Sequence, residues 1–415
     1  MKDIYYGWYI IAACFFSSLY VAGIVVFGFT AFFEPFITTF GWSYAQVSVA
    51  VSLRGAETGL IAPLLGYWVD RRGPRWLLFS GSILVGISLI ILSKMQSLVG
   101  FYTGAIILAF GTSLCSPAVV APSAANWFKK RLGMATGILA AGFGFGGLLI
   151  PVIIQLINTA GWRETLFILG IGALVICLPL SLVVRHRPEQ YGLRPDGEKA
   201  PEEKAAGANN AQSIPALSTG RDYTTREALT SRAFWHLTLG FTLQYMVVGS
   251  VLAHIMPFLS SVQIDRSTAG FLAAAVPVVS IAGRLASGWA SDRLDRKSLA
   301  VLSFAVITAA TLLFDFSGAG TLWLMVVAVG LFGISYGSAN TLRAVLLREY
   351  FGRSRFGTVF GFLMGFLSLG VIVGPLLAGW IFDTFQSYSY AWWLFTLLNA
   401  AALLLIITLP KAKSL

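Results

Sequence analysis

Charge is what this sequence has least of: only 11% of its 415 residues are Asp, Glu, Lys or Arg, against 57% hydrophobic. A water-soluble domain carries about 25% charged residues, so a soluble globular protein is excluded. Cysteine is nearly absent. Cys14, Cys115 and Cys177 all fall inside apolar runs, too scattered for a metal site or a disulfide framework. The sequence also holds no P-loop, no Cys/His metal-ligand spacing and no nucleophile elbow. Nucleotide hydrolysis, metal chemistry and acyl-enzyme chemistry lose their usual carriers, and neither an enzyme nor a bound cofactor is expected.

What the chain has instead is apolar runs long enough to span a bilayer, twelve of them, from residues 7–33 through to 388–409. The first run is far longer than a signal-peptide core and has no small-residue cleavage site after it, so it reads as retained. One segment differs in kind. Residues 185–229 hold Arg185, Glu189, Asp196, Glu198, Lys199 and Lys204 followed by small polar residues, the composition of a soluble linker. The expected organisation is therefore a six-helix bundle over 1–184, a linker over 185–229 and a second six-helix bundle over 230–415. The net charge of +11 would suit nucleic acid, but its placement argues otherwise. With the N-terminus inside, 23 of the 29 Lys and Arg fall on the cytoplasmic side. Only Lys94, Arg163 and Arg266 fall outside, and Arg54, Arg284 and Arg343 fall within spans. This is the positive-inside bias of a cell-membrane protein with both termini in the cytoplasm.

The chain also repeats itself. Gly66-Tyr67-Trp68-Val69-Asp70-Arg71-Arg72-Gly73-Pro74-Arg75 matches Gly288-Trp289-Ala290-Ser291-Asp292-Arg293-Leu294-Asp295-Arg296-Lys297 at an offset of 222 residues. Arg131-Leu132-Gly133-Met134-Ala135-Thr136-Gly137 matches Arg355-Phe356-Gly357-Thr358-Val359-Phe360-Gly361 at an offset of 224. Two independent matches at nearly one offset mean an internal duplication, the build of a transporter made of two parallel repeats. The first pair of stretches, through Gly66, Asp70, Arg71, Gly73 and Arg75 and through Gly288, Asp292 and Arg293, is assigned to the conformational change.

Inside the spans, polar residues are few enough to weigh one by one. Arg284 sits in Val278-Val279-Ser280-Ile281-Ala282-Gly283-Arg284-Leu285-Ala286-Ser287-Gly288 and cannot shed its proton. Holding it at mid-bilayer depth costs about 2.5–3.5 kcal/mol on the insertion scale, so an anion must offset it. A permanent protein anion makes Arg284 structural; one that comes and goes makes it a substrate site. Arg54 and Glu57 lie three residues apart on one helix face and read as a self-neutralising pair, with a proton-carrying Glu57 as the sharper alternative. His254, in the seventh span, is either hydrogen-bonded filler or a substrate and proton contact. Ser113, Cys115 and Ser116 put small polar groups in the fourth span, and Gly142, Gly144, Gly146 and Gly147 allow close packing of the fifth. The tenth span carries a polar stripe of Gly333, Ser335, Tyr336, Gly337, Ser338 and Asn340. Arg343, near its cytoplasmic end, reads as a snorkelling side chain. Tyr336, Asn340 and Ser116 join Arg284 and His254 as candidate substrate contacts.

The stretch from Gly66 to Arg75 resembles the loop between the second and third helices of the major facilitator superfamily. Within it the closer likeness is to the monocarboxylate transporters. It rests on Gly7-Trp8, on Trp127-Phe128-Lys129-Lys130-Arg131 with Met134-Ala135-Thr136-Gly137, on Arg284, and on Arg355-Phe356-Gly357 through Gly374-Pro375-Leu376-Leu377. The resemblance implies an all-α fold of twelve transmembrane helices and proton-coupled symport of a small monocarboxylate such as lactate or pyruvate. It also implies a carboxylate-binding role for Arg284. The chain departs from the animal members, which have an aspartate where Ser280 stands and a lysine within the first span. Phe362-Leu363-Met364 is apolar where the related oxalate exchanger has a second cation. The alternative is an organic-anion exchanger of the oxalate/formate type without proton coupling. Counting Arg284 as the one uncompensated cation, a single carboxylate with its proton would cross without net charge.

Overall fold

A computed structural model describes residues 5–42, 44–197, 223–317 and 319–410, apart from the side chains of 30, 44, 45, 48–58, 266, 267 and 319. Among the described residues ten helices are long and apolar enough to cross a membrane. One of these, Leu132–Val183, runs 52 residues, twice what a bilayer needs, and breaks at Gly161, whose φ of 82° leaves the helical region. Counting it as two spans and adding the 29-residue helix Tyr44–Arg72 accounts for the twelve expected spans.

Span α1 is regular over Tyr6–Val21, then loosens into a π-helix over Ala22–Phe27 and a 3-10 turn over Gly28–Phe32. α2 is Tyr44–Arg72 and α3 is Arg75–Ser93. α4 comes in two pieces, Leu98–Leu114 and Pro117–Trp127, because Pro117 starts a new helix rather than continuing the old one. α5 begins at Leu132 and α6 ends at Val183, on either side of Gly161. The second half runs α7 Arg232–Ser261, α8 Arg266–Ser291, α9 Arg296–Asp315, α10 Leu322–Phe351, α11 Phe356–Phe385 and α12 Ser389–Ile407. Several of these helices start on a side-chain cap. Ser97, Ser231, Asp265 and Asp295 each accept from the backbone N–H three residues on, satisfying a donor that the helix leaves open.

One buried cluster belongs almost wholly to the first half, around Val85, Phe101, Trp127 and Leu166. Two further clusters fill the second half, around Phe241, Phe304 and Phe360 and around Phe314, Phe332 and Trp392. Large apolar side chains also cover the outside: Val99, Phe271, Trp323, Leu397 and Leu404 are all more than half exposed. A continuous apolar exterior of this kind is stable only against lipid.

Candidate functional site

Glycines bring α8 and α10 close enough to place the site. A methyl group at Gly283 would overlap the Ile334 carbonyl oxygen, and one at Gly337 would overlap that of Ser280. With the helices in contact, Ser338 donates to the Gly283 oxygen at 3.2 Å and Thr341 to the Arg284 oxygen at 3.2 Å. Arg284 is 2% exposed. Its Nη1 donates to the Ala140 carbonyl of α5 at 2.6 Å, and its Nε is buried without an acceptor. The Tyr336 ring lies 5.5 Å and the Phe143 ring 5.9 Å from the guanidinium carbon, so aromatic faces take part of the charge. Gly144 leaves the room: a methyl there would sit 2.8 Å from Nη1. Among the described residues no carboxylate lies within salt-bridge distance of Arg284.

Tyr336, Asn340 and Arg343 follow one another at helical spacing and share one face of α10. Asn340 Oδ1 accepts from the Tyr245 hydroxyl of α7, and the Tyr245 and Tyr336 rings meet edge to face at 6.5 Å. Arg343 does not snorkel, and that expectation is corrected. It is 4% exposed, with the Tyr245 ring at 4.9 Å and the Phe360 ring at 5.7 Å from its guanidinium carbon. The reason is directional. Eight residues separate it from Phe351, about 12 Å of helix, and helical side chains lean toward their own N-terminus, here the far end. Among the described residues the interior therefore holds two arginines rather than one, and the count of a single uncompensated cation falls with the snorkelling.

The other expected contacts scatter. His254 and Arg284 lie on consecutive antiparallel helices, but His254 is seven residues from the end of α7 and Arg284 eighteen from the start of α8. That difference of eleven residues is about 17 Å of depth. Both His254 nitrogens are engaged, Nδ1 with the Tyr388 hydroxyl at 3.1 Å and Nε2 with the Pro375 carbonyl oxygen at 3.0 Å. Since a carbonyl only accepts, Nε2 carries a proton, and in the neutral ring Nδ1 then accepts from the tyrosine. Ser116 occupies the break in α4, and no contact among the described residues joins it to Arg284. The side chains of Arg54 and Glu57 lie outside the described residues.

The duplicated stretches meet each other crosswise, which sequence reasoning missed. The Asp70 carboxylate at the end of α2 accepts from Gly357 N at 2.8 Å, Thr358 N at 2.7 Å and Thr358 Oγ1 at 2.6 Å, at the start of α11. The Asp292 carboxylate after α8 accepts from Gly133 N at 2.6 Å and Met134 N at 2.9 Å, at the start of α5. Each acid of one repeat thus caps a helix N-terminus in the other half, where the helix dipole also favours an anion. Bare backbone makes the approach possible: a methyl at Gly288 would lie 2.6 Å from the Gly133 oxygen, and one at Gly357 2.7 Å from that of Gly66. Arg71 and Arg293 do not cross; each stacks on the aromatic four residues back, Tyr67 at 4.6 Å and Trp289 at 4.2 Å. Gly73, with φ 79°, makes a turn against His186, and Arg75 starts α3. The linker reinforces this end. Arg353 forms a fork with Glu189 at 2.7 and 2.6 Å and donates to Asn126 at 3.2 Å, while Asp196 accepts from the backbone of Lys129 and Lys130. These hydrogen bonds between the two halves lie in the linker-side half of the spans.

Known proteins resemble this chain in sequence and in fold. The family model of the Major Facilitator Superfamily matches residues 11–263 and 250–415. Monocarboxylate transporter 12 of Rattus norvegicus is 27% identical over 402 residues, covering 93% of this chain and 82% of its own. Monocarboxylate transporter 13 of the same species is 26% identical over 409 residues, covering 98% and 89%. Among solved structures, the proton:xylose symporter XylE superposes with a TM-score of 0.78 at 16% identity, covering 99% of this chain and 97% of its own. The human organic anion transporter MFSD10 superposes with a TM-score of 0.71 at 13% identity, covering 96% and 99%. With the family model spanning nearly its whole length, its relatives monocarboxylate transporters and its helices those of a multi-pass membrane protein, the chain belongs to the Major Facilitator Superfamily and is a transporter rather than an enzyme.

Proposed function

We propose that the protein is a proton-coupled symporter of a small monocarboxylate, of the lactate or pyruvate kind, working by alternating access. The observation that carries this reading is Arg284: a permanent cation, 2% exposed, met by one backbone carbonyl and two ring faces and by no described acid. A carboxylate brings the in-plane acceptors that those rings do not supply. The names of the relatives point to the same class of cargo. The distribution of basic residues supports a linker end and termini on the cytoplasmic side, and in that orientation the crosswise aspartate latches close the inner side. Release inward requires both latches to part as one half rocks against the other. The proton has no assigned carrier: His254 is tied to Tyr388 and Pro375, and Glu57 lies among the undescribed side chains.

The test is uptake of labelled lactate into proteoliposomes under an imposed pH gradient. Acid outside should accelerate uptake against a lactate gradient. Uptake only in exchange for internal anion, indifferent to the pH gradient, would replace symport by the oxalate/formate type of exchange. No uptake in either mode would end the reading.

A further inference from the structure

The second buried arginine has no role in that scheme. Arg343 is 4% exposed and, like Arg284, permanently charged. A guanidinium presents five N–H donors. Here Nη2 reaches Asn340 Oδ1 only at 3.5 Å, an oxygen that the Tyr245 hydroxyl already uses, and Nε and Nη1 are buried with no acceptor at all. Tyr245 and Phe360 lie over the group, and no described acid is within salt-bridge distance of it. Ring faces stabilise the charge but accept none of the in-plane hydrogen bonds, so the donor edge asks for a planar anion. The position is not remote from Arg284. Tyr336 lies against Arg284 and Tyr245 against Arg343, and the two tyrosines touch edge to face, so the two cations flank one tyrosine pair.

We propose that Arg343 is a second carboxylate subsite, so that the interior takes two carboxylates at once, one at each arginine. The two groups can come from the ends of one short dicarboxylic acid or from two monoacid molecules. Either source supplies an anion to a guanidinium that has no described acid partner in a membrane interior, where a permanently unpaired one is costly. The inference rests on the reading of Arg284 as the first carboxylate site and enlarges the cargo class beyond a lone monoacid.

Calorimetric titration of the full-length protein in detergent at neutral pH distinguishes these sources, with L-lactate, succinate and monomethyl succinate as probes. The monoester removes one charge and keeps the chain. If one dicarboxylate fills both subsites, succinate should bind about tenfold or more tightly than its monoester, and Arg343→Gln should erase the difference. If two monoacids fill them, lactate should saturate at two per chain, falling to one in Arg343→Gln. Succinate no tighter than its monoester together with one lactate per wild-type chain overturns the proposal, and that comparison needs no variant to fold. Full lactate affinity in Arg284→Gln would instead overturn the first site, and the succinate comparison would still decide whether Arg343 binds a carboxylate.

Discussion

At the scale of single residues, depth in the membrane decides what each polar side chain can do. Arg343 shows how much of this was legible. Its spacing from Tyr336 and Asn340 marks one helix face, a signal present in the sequence. The direction in which its side chain leans depends on helix polarity, and counting residues to the nearer end conceals that. His254 fails in the opposite sense: adjacency of two spans along the chain says nothing about level, because antiparallel helices bring only equal depths together. Its two hydrogen bonds tie α7 to α11 and to the start of α12, so His254→Ala should lower thermal stability while lactate affinity stays within about twofold, a change no larger than an outlying residue makes. A large affinity loss at unchanged melting temperature would return His254 to the site. On the linker side, His186 is pushed down to about 4 by burial first, then by Arg187 and Arg353 beside it, with Glu189 pulling the other way. An unfolded histidine titrates near 6.5, so between that value and about 4 the unfolded chain binds the proton that the folded chain refuses. Stability contributed by His186 is therefore present above that window and lost as pH falls through it. Melting curves at neutral and mildly acidic pH should show a larger acid-induced drop in wild type than in His186→Gln; equal drops would show that the ring does not report this acidification.

At the scale of elements, two irregular stretches meet at one close helix approach. The π-helix of α1 and the 3-10 turn of α5 meet at Gly23 and Gly146, where a methyl on Gly146 would stand 2.6 Å from Gly23 N. Phe27 of α1 packs on Phe143 of α5 at 5.5 Å, and Phe143 faces Arg284, so this junction holds one wall of the site. Local loss of regular hydrogen bonding at such a junction fits an element that reshapes during function. The duplication itself was readable from two offsets, and the twelve spans from hydropathy. The crosswise pairing of the repeats was not, because it joins Asp70 to residues nearly three hundred positions away and depends on which face of each helix turns inward. Gly288→Val would force a branched side chain onto the Gly133 backbone. The expected outcome is a shift toward the state open at the linker end, seen as faster alkylation of a cysteine placed at Ala140 beneath that contact. The three native cysteines are buried and add little background. Unchanged or slower alkylation would mean that the glycine contact does not hold this end shut.

At the scale of the whole molecule, the two halves are joined crosswise at the linker end, as one side of the proposed alternating-access cycle requires. If Asp70 and Asp292 are the equivalent latches proposed above, removing both should weaken closure more than removing either alone. Uptake by Asp70→Asn and by Asp292→Asn should fall to a similar extent, and that of the double variant further, while the protein remains folded, because an amide caps a helix nearly as well but forfeits the charge. A double variant no slower than wild type would detach the latches from transport. Arg284 is the central member of the proposed site, and equilibrium binding of lactate to folded Arg284→Ala and Arg284→Lys protein tests that assignment most directly. Loss of a buried charge partner costs about 2 kcal/mol or more, so affinity should fall about thirtyfold or further in the alanine variant. Lysine, which keeps the charge and loses the planar fork, should restore only part of it. Wild-type affinity for lactate in a folded Arg284→Ala protein would contradict the account.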